Sequence, residues 1–444
     1  MALDRRRCLD LDAQDPLAEH RRAFVLPEGV IYLDGNSLGA LPAATPARLR
    51  EVIEGEWGRG LIDSWNAAGW IDAPRRVGAK IAHMIGAAGD EVICADCISV
   101  NLFKLLGAAL RLERDRPRVN DHDRNVILSE RGNFPTDLYV AESLADMLGG
   151  RYRLVTVPGS DIPYHIDDST AVLLLTHVDY RTGRVHDMES LTRRAHYAGA
   201  LTVWDLAHSA GAVPVNLHDA GADFAVGCGY KYLNGGPGAP AFVFAARRHL
   251  SAMAADRFAQ PLAGWFGHRA PFDFSPEYEP ARGIDRFGTG TPSIIALAAL
   301  ECGLDTVLAA GTEALRAKSV QLTQLFIDLV DNRCANQGLT IATPRTADQR
   351  GSQVSYGHAH AWPVMQALIA RGVVGDCRPG DDGEPGILRF GFAPLYVRFV
   401  DVWDAVEALH DVLATRAWDR AQFRASHAES RSAPAVKAAA ARWP

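Results

Sequence analysis

Between about residues 90 and 250 the chain alternates short apolar runs with amphipathic stretches. The runs are Asn125–Ser129, Ala171–Thr176, Leu201–Asp205, Phe224–Cys228 and Ala241–Phe244, and within them polar residues are scarce. A strand with one wet face alternates apolar and polar side chains, whereas a strand covered on both faces has no reason to. Near-continuous runs of this length therefore predict a mainly parallel sheet with helices on its faces. The intervening segment from Asp187 to Gly199 carries its apolar residues at helical spacing and stops at a glycine, a residue that readily takes the left-handed conformation ending a helix. This part of the chain reads as a large α/β layered domain.

After Gly288-Thr-Gly-Thr-Pro292 the texture changes. A long helix is expected over Thr312–Asn332, with Leu315, Leu322, Phe326 and Leu329 on one face. Strand candidates follow near Gly351–Tyr356 and Ile387–Phe392, the pattern of a smaller α+β domain. The last 30 or so residues are rich in Ala, Arg and Ser with few large apolar groups, so a frayed tail is expected there. Internal repeats are absent from the sequence.

Composition narrows the function classes. The 444 residues are 48% hydrophobic and 22% charged, ordinary for a globular protein with a sizeable core. A formal net charge of -7 argues against general nucleic-acid binding. Apolar runs fall short of the roughly 18 residues a membrane helix requires. The basic start, through Arg5-Arg-Arg7, lacks the apolar stretch of a secretory signal. Seven cysteines are an odd number with no disulfide-like spacing, which fits a reducing cytoplasm. Cys94 and Cys97 form a lone CxxC, and zinc sites need a second pair.

Chemistry enters at strand ends. Open α/β sheets place ligands at the carboxyl ends of their strands, where Asp205 follows Leu201–Trp204 and Lys231 follows Phe224–Cys228. Either residue alone is more simply a turn or surface side chain. Together they suit pyridoxal phosphate, which takes a lysine amine for its Schiff base and an acidic partner for its pyridinium nitrogen. The carboxylate favours the protonated ring, and a buried lysine can shuttle protons near neutral pH.

The segments Asp205-Leu-Ala-His208 and Tyr230-Lys-Tyr-Leu-Asn234 resemble the cofactor region of the kynureninases, pyridoxal-phosphate enzymes of fold type I. Further similar segments occur in order: Leu33-Asp-Gly-Asn-Ser-Leu-Gly39, Ser99-Val-Asn-Leu-Phe103, Asn133-Phe-Pro-Thr-Asp137, Gly264-Trp-Phe-Gly-His268, Gly386-Ile-Leu-Arg-Phe390 and Pro394-Leu-Tyr396. The resemblance runs from about residue 30 to 410. It implies hydrolysis of L-kynurenine to anthranilate and L-alanine, a step of tryptophan catabolism, by a cytoplasmic homodimer with shared active sites. It also implies that Lys231 carries the cofactor and moves substrate protons, that Asp205 holds the pyridinium, and that Phe134 stacks on the ring. Ile98, Ser99, Tyr230, Trp265 and Thr291 would hold the phosphate, with Pro135, Thr136, Asp137, Thr176 and His208 lining the cofactor. Arg389 would pair with the substrate carboxylate through its planar two-donor fork, with Ser37 and Trp65 towards the aromatic end and Tyr230 as a general acid. The expected division is an N-terminal segment to residue 50 packing on the small domain, a large cofactor-binding domain over 51–290, a small domain over 291–415, and a tail over 416–444.

Other readings stay open at this level. A cysteine desulfurase of the same fold type needs a mobile cysteine nucleophile; Cys334 is the candidate, in surroundings that lack a flexible Ser/Gly/Ala loop. An aminotransferase would require a 2-oxo acid. A catalytically inactive relative would have no need of Lys231, Asp205 and Arg389 together. His358 and His360 form an isolated His-x-His, the pattern of a solvated turn, and no metal is expected. Leu61, Ile62 and Thr291 stand where some relatives have polar groups, which favours plain kynurenine over 3-hydroxykynurenine.

Overall fold

The structure, a computed structural model, describes residues 4–114, 123–380 and 383–424. The chain divides into two compact units: one comprises Ala44–Tyr180 and His186–Asp305, the other the residues up to Ala43, Arg181–Val185 and those from Thr306 onward.

The larger unit is built on seven strands: β1 (Val92–Cys94), β2 (Val126–Glu130), β3 (Arg153–Val157), β4 (Thr170–Thr176), β5 (Leu201–Asp205), β6 (Phe224–Cys228) and β7 (Ala241–Ala245). Their order across the sheet is β1-β7-β6-β5-β4-β2-β3. Five of them, β2 to β6, run parallel, and β7 runs antiparallel to both β6 and β1. Every residue of β4, β5, β6 and β7 is buried, as their unbroken apolar runs require. Helix Ile98–Arg114 covers the sheet, placing Leu102, Leu105, Leu106 and Ala109 in one core with Ile127, Leu174, Val203 and Val243. Strands β1 and β3 escaped the sequence reading because β1 has only three residues and β3 is half-exposed at the sheet edge.

The helix expected between Asp187 and Gly199 spans Met188–Ala198. Asp187 caps it by accepting from the Ser190 N–H at 3.0 Å, and Gly199 ends it at φ 85°, a conformation that disfavours a side chain.

In the smaller unit, β8 (Thr340–Ile341), β9 (Gln353–His358), β10 (Asp376–Arg378) and β11 (Gly386–Gly391) form an antiparallel sheet in the order β8-β9-β11-β10. Helix Thr312–Arg333 packs Phe326 against Phe390 and Phe392, with ring centroids 4.8 and 5.3 Å apart. The N-terminal helix Arg5–Ala13 lies on helix Phe399–Ala414 and caps it: Asp12 accepts from the Phe399 and Val400 N–H groups at 2.6 and 3.0 Å. Ala417–Asp419 and Ala421–Arg424 are helical turns, with Trp418 buried and stacked on His360 at 4.3 Å. The rest of the expected tail, 425–444, lies outside the described residues.

Among the described residues no single helix is long and apolar enough to cross a membrane.

Candidate active site

Three neighbouring strands of the larger sheet end in polar or reactive side chains: Thr176 on β4, Asp205 on β5 and Cys228 on β6. Lys231 follows three residues after Cys228. Its loop, 229–240, joins β6 to the antiparallel β7, so the ladder pairing Cys228 with Ala241 pins both of its ends. Inside the loop, Gly235 lies so close to the Gly229 carbonyl that a Cβ would meet its oxygen at 2.7 Å, and Asn234 takes a left-handed φ of 56°. A crossover helix would have carried the lysine away from the strand ends; this short return holds it over them.

One cleft gathers Ile98, Ser99, Phe134, Thr136, Asp137, Thr176, Asp205, His208, Tyr230 and Lys231, together with Cys97 and Tyr180. Lys231 Nζ lies 3.0 Å from His208 Nε2 and 5.7 Å from the Tyr230 ring centre. The Asp205 carboxylate is buried and accepts from the Ala207 N–H at 2.8 Å, which fixes its orientation. Thr176 Oγ1 donates to Asn133 Oδ1 and stands 3.3 Å from Asp137 Oδ2 and 3.4 Å from Asp205 Oδ2. Two buried carboxylates thus face one hydroxyl. Burial, and then the charge of Asp205, push the Asp137 carboxyl well above its usual range. Burial also raises Asp205, against the pull of Lys231 and the Ala207 N–H. Like charges this close in a dry site oppose each other's ionisation, which favours the neutral form of Asp137. Burial, and then Cys228, push the Tyr230 phenol up, which keeps its proton on at neutral pH.

Around this centre Ile98 opens the helix Ile98–Arg114, whose first N–H groups have no partner within the helix. Phe134 precedes the helix Pro135–Met147, and Asn133 Oδ1 accepts from its N–H at 2.8 Å. The Phe134 ring is partly exposed and meets Tyr180 edge-on at 5.3 Å. Trp265 and Thr291 lie elsewhere in the same unit. Trp265 joins Trp65 at 6.1 Å and Phe272 at 5.9 Å in an aromatic cluster. Thr291 lines a second cleft with Asp96, Gly288, Thr289 and Gly290. Leu61 and Ile62 are exposed.

Arg389 and Ser37 meet in the smaller unit. Arg389 is fully buried on β11, directly across the ladder from Asp376 on β10. Its Nε donates to Asp376 Oδ1 at 2.7 Å and its Nη2 to Ser37 Oγ at 2.9 Å, with a further short bond from Nη2 to Asp376 Oδ2. Ser37 Oγ donates to Asp376 Oδ2 at 2.7 Å, and Arg378 reaches the same oxygen at 2.9 Å. Burial would raise the Asp376 carboxyl, but the hydrogen bonds and charge of Arg389 hold it below its usual range; burial and then Asp376 push neighbouring Asp34 up to about 7. Asp376 was missed in the sequence. The signal was available: antiparallel pairing of β10 with β11 places positions 376 and 389 opposite each other, and opposite charges stabilise such pairs.

The cleft fits pyridoxal phosphate on its own chemistry. An amine, a ring-sized gap flanked by Phe134, a fixed carboxylate and a helix N-terminus are the groups the cofactor requires. Asp137 Oδ1, buried and without a hydrogen-bond partner among the described residues, is a further polar atom that a bound group would satisfy. Fold and site together define an enzyme of the pyridoxal-phosphate fold-type-I class. Cysteine desulfurases share the fold: that of Thermococcus onnurineus NA1 superposes with a TM-score of 0.74 at 20% identity, over 89% of this chain and 98% of its own. One from Escherichia coli gives 0.72 at 18%, over 90% and 98%. Sequence is more specific. A kynureninase of Burkholderia mallei is 57% identical over 422 residues, 94% of this chain and 98% of its own, and one of Pseudomonas fluorescens is 54% identical over 425 residues, 95% and 99%. The family described as the kynureninase C-terminal domain matches residues 315–409. The chain belongs to the kynureninase family.

Proposed function

We infer that this protein hydrolyses the Cβ–Cγ bond of L-kynurenine, giving anthranilate and L-alanine, with pyridoxal phosphate as its cofactor. The observation that carries the reading is the cleft at the ends of β4, β5 and β6, where Lys231, Asp205 and Tyr230 converge in a chain of this family.

Pyridoxal phosphate, when bound, supplies an electron-accepting ring that stabilises a carbanion next to the amino group. Lys231 Nζ anchors it, takes the substrate Cα proton and returns protons later. His208, 3.0 Å from that amine, orients it. Asp205, fixed by the Ala207 N–H, would hold the proton of the ring nitrogen. Phe134 would cover one face of the cofactor ring; Pro135 starts the helix whose first turn carries Thr136 and Asp137. Ile98 and Ser99 offer N–H groups and a hydroxyl to the phosphate, with Tyr230; Trp265 and Thr291, which lie outside this cleft, would reach the phosphate from the neighbouring subunit of the homodimer. Tyr230, still protonated at neutral pH, is the acid that delivers a proton as the Cβ–Cγ bond breaks after water adds to the γ-carbonyl. Arg389 receives the substrate carboxylate, assisted by Ser37, and Trp65 belongs to the aromatic end.

The desulfurase reading loses its nucleophile: Cys334 is buried, and burial pushes its thiol up to about 12. Plain kynurenine is the preferred substrate, supported by apolar Leu61 and Ile62. The enzyme works as a homodimer in the cytoplasm, a reading supported by family membership and by seven free cysteines suited to a reducing compartment. The test is fluorescence-monitored release of anthranilate from L-kynurenine by holoenzyme. Release is expected from the native protein and lost in Lys231→Ala; persistent release in that variant, or none from the native holoenzyme, overturns the reading.

A further inference from the structure

Lys104 stands in the second turn of helix Ile98–Arg114, and its side chain is completely buried. A lysine is buried this fully only where its ammonium finds several acceptors. Here Nζ donates to Asp96 Oδ2 at 2.7 Å, to the Phe287 carbonyl at 2.6 Å and to Thr289 Oγ1 at 3.3 Å. Thr289 Oγ1 in turn donates to the same Asp96 oxygen at 3.1 Å. The acceptors come from two separate stretches of chain. Asp96 directly precedes Cys97-Ile98-Ser99 and holds a left-handed φ of 47°, unusual for aspartate and sustained here by the ion pair below it. Phe287 and Thr289 begin the turn that carries Thr291.

We propose that Lys104 is a positioning residue for the cofactor phosphate: its single ammonium pins Asp96, and with it the Asp96–Ser99 segment, against the stretch Phe287-Gly288-Thr289. This deepens the function proposed above and rests on the reading that Ile98 and Ser99 hold phosphate. The tie is stiff because the ends it joins are already anchored. The Asp96 carbonyl accepts from the Ala241 N–H at 2.9 Å, and Asn101 Nδ2 donates to the Ala95 carbonyl at 2.7 Å. On the other side Gly264 lies against Thr289, where a Cβ would meet its carbonyl oxygen at 2.1 Å. Lys104 joins these two anchored segments through Asp96 on one side and the Phe287 carbonyl on the other. Without the ammonium, Asp96 is left facing a carbonyl and a hydroxyl, and its strained backbone has no reason to persist.

Cofactor binding without catalysis tests this. Full-length protein stripped of cofactor is titrated with pyridoxal phosphate and, separately, with pyridoxal, the same aldehyde lacking phosphate, followed by tryptophan quenching and absorbance. Lys104→Met keeps an unbranched side chain only one atom shorter and removes the charge. It is expected to weaken pyridoxal phosphate about 10- to 100-fold, the range for misplacing binding groups by about 1 Å, while pyridoxal affinity stays within about threefold. Thr289→Val, which removes the hydroxyl that contacts Lys104 and Asp96 but leaves the Lys104 bond to the Phe287 carbonyl, is expected to give a smaller phosphate-selective loss and serves alone if Lys104→Met does not fold. Equal losses for both aldehydes, or unchanged affinity in both variants, overturn the proposal. Native protein that binds neither aldehyde overturns the cofactor reading itself, a distinct result from variants that keep the native preference for phosphate.

Discussion

Replacing Asp223 by asparagine removes one negative charge from the start of β6 while leaving the shape of the side chain intact. Asp223 is buried, and its two oxygens receive five contacts. Oδ2 takes the Thr202 N–H at 2.8 Å, Thr202 Oγ1 at 3.0 Å and His196 Nε2 at 2.8 Å; Oδ1 takes Arg248 Nη2 at 2.7 Å and His249 Nε2 at 2.6 Å. Burial alone would raise this carboxyl, but the hydrogen bonds and charges of His196 and His249 hold it far below the usual range. Asparagine keeps one acceptor and turns the other into a donor facing donors, so the loss is that of breaking a buried ion pair, about 3–5 kcal/mol. At the shift of about 2–4 °C per kcal/mol known for domains of 150–250 residues, Tm should fall by at least about 6 °C. The sign with pH follows from the depressed value. Stability from a carboxylate of this kind is fully present above its unfolded value of about 3.9 and disappears as pH falls through the folded one. The difference between native and variant should therefore persist down to about pH 4 and shrink below it. Scanning calorimetry across that range measures it. A Tm loss under about 2 °C at pH 7.5, or one that does not shrink in acid, refutes the account.

Two further substitutions probe the proposed chemistry. Asp376→Asn removes the charge that aligns Arg389, and should raise KM for kynurenine by at least about tenfold with kcat changed less than about threefold; steady-state kinetics decide, and an unchanged KM removes Asp376 from substrate recognition. Asp137→Asn imitates the protonated member of the carboxylate pair, so it should retain the cofactor absorbance band and most turnover, whereas Asp205→Asn should lose turnover by about 100-fold or more. Equal damage from both would mean that the proton does not reside on Asp137.

The parallel core of the larger unit was legible because β4, β5 and β6 are buried on both faces, and that condition leaves an unbroken apolar run. The same logic located Asp205 and Lys231, since a strand end next to a polar residue is visible in one dimension. What escaped notice depends on pairing. The reversal of β7 has no local signature, because Ala241–Ala245 is as apolar as its parallel neighbours. Asp376 and Arg389 read as two ordinary charges until the pairing of β10 with β11 puts them opposite each other. Lys104 was hidden most fully: it lies in Asn101-Leu-Phe-Lys104, where helical spacing makes a lysine look like the wet face, yet its partners come from residues 96, 287 and 289.

The two ends of β5 explain why these substitutions should separate cleanly. Thr202, near its start, belongs to the Asp223 network, and Asp205, at its close, belongs to the cleft; three residue steps of extended chain, about 10 Å, separate them. Over that distance, through a strand buried on both faces, the two groups share no hydrogen-bond partner among the described residues, and effects at independent sites add. Asp223→Asn should consequently lower Tm while leaving kcat at 25 °C within about twofold, provided the protein stays folded at that temperature. The division has a physical origin. In a parallel sheet every strand enters from the same side, so the amino ends are free to be tied down by ion pairs while the carboxyl ends collect the loops that bind ligands. The β6–β7 return is the exception that the chemistry requires: by folding back without a helix, it keeps the lysine amine on the carboxyl edge beside Asp205 and Thr176. Lengthening that return with two glycines after Gly236, where a Cβ would meet nothing within 4 Å, should therefore cost cofactor affinity before it costs stability.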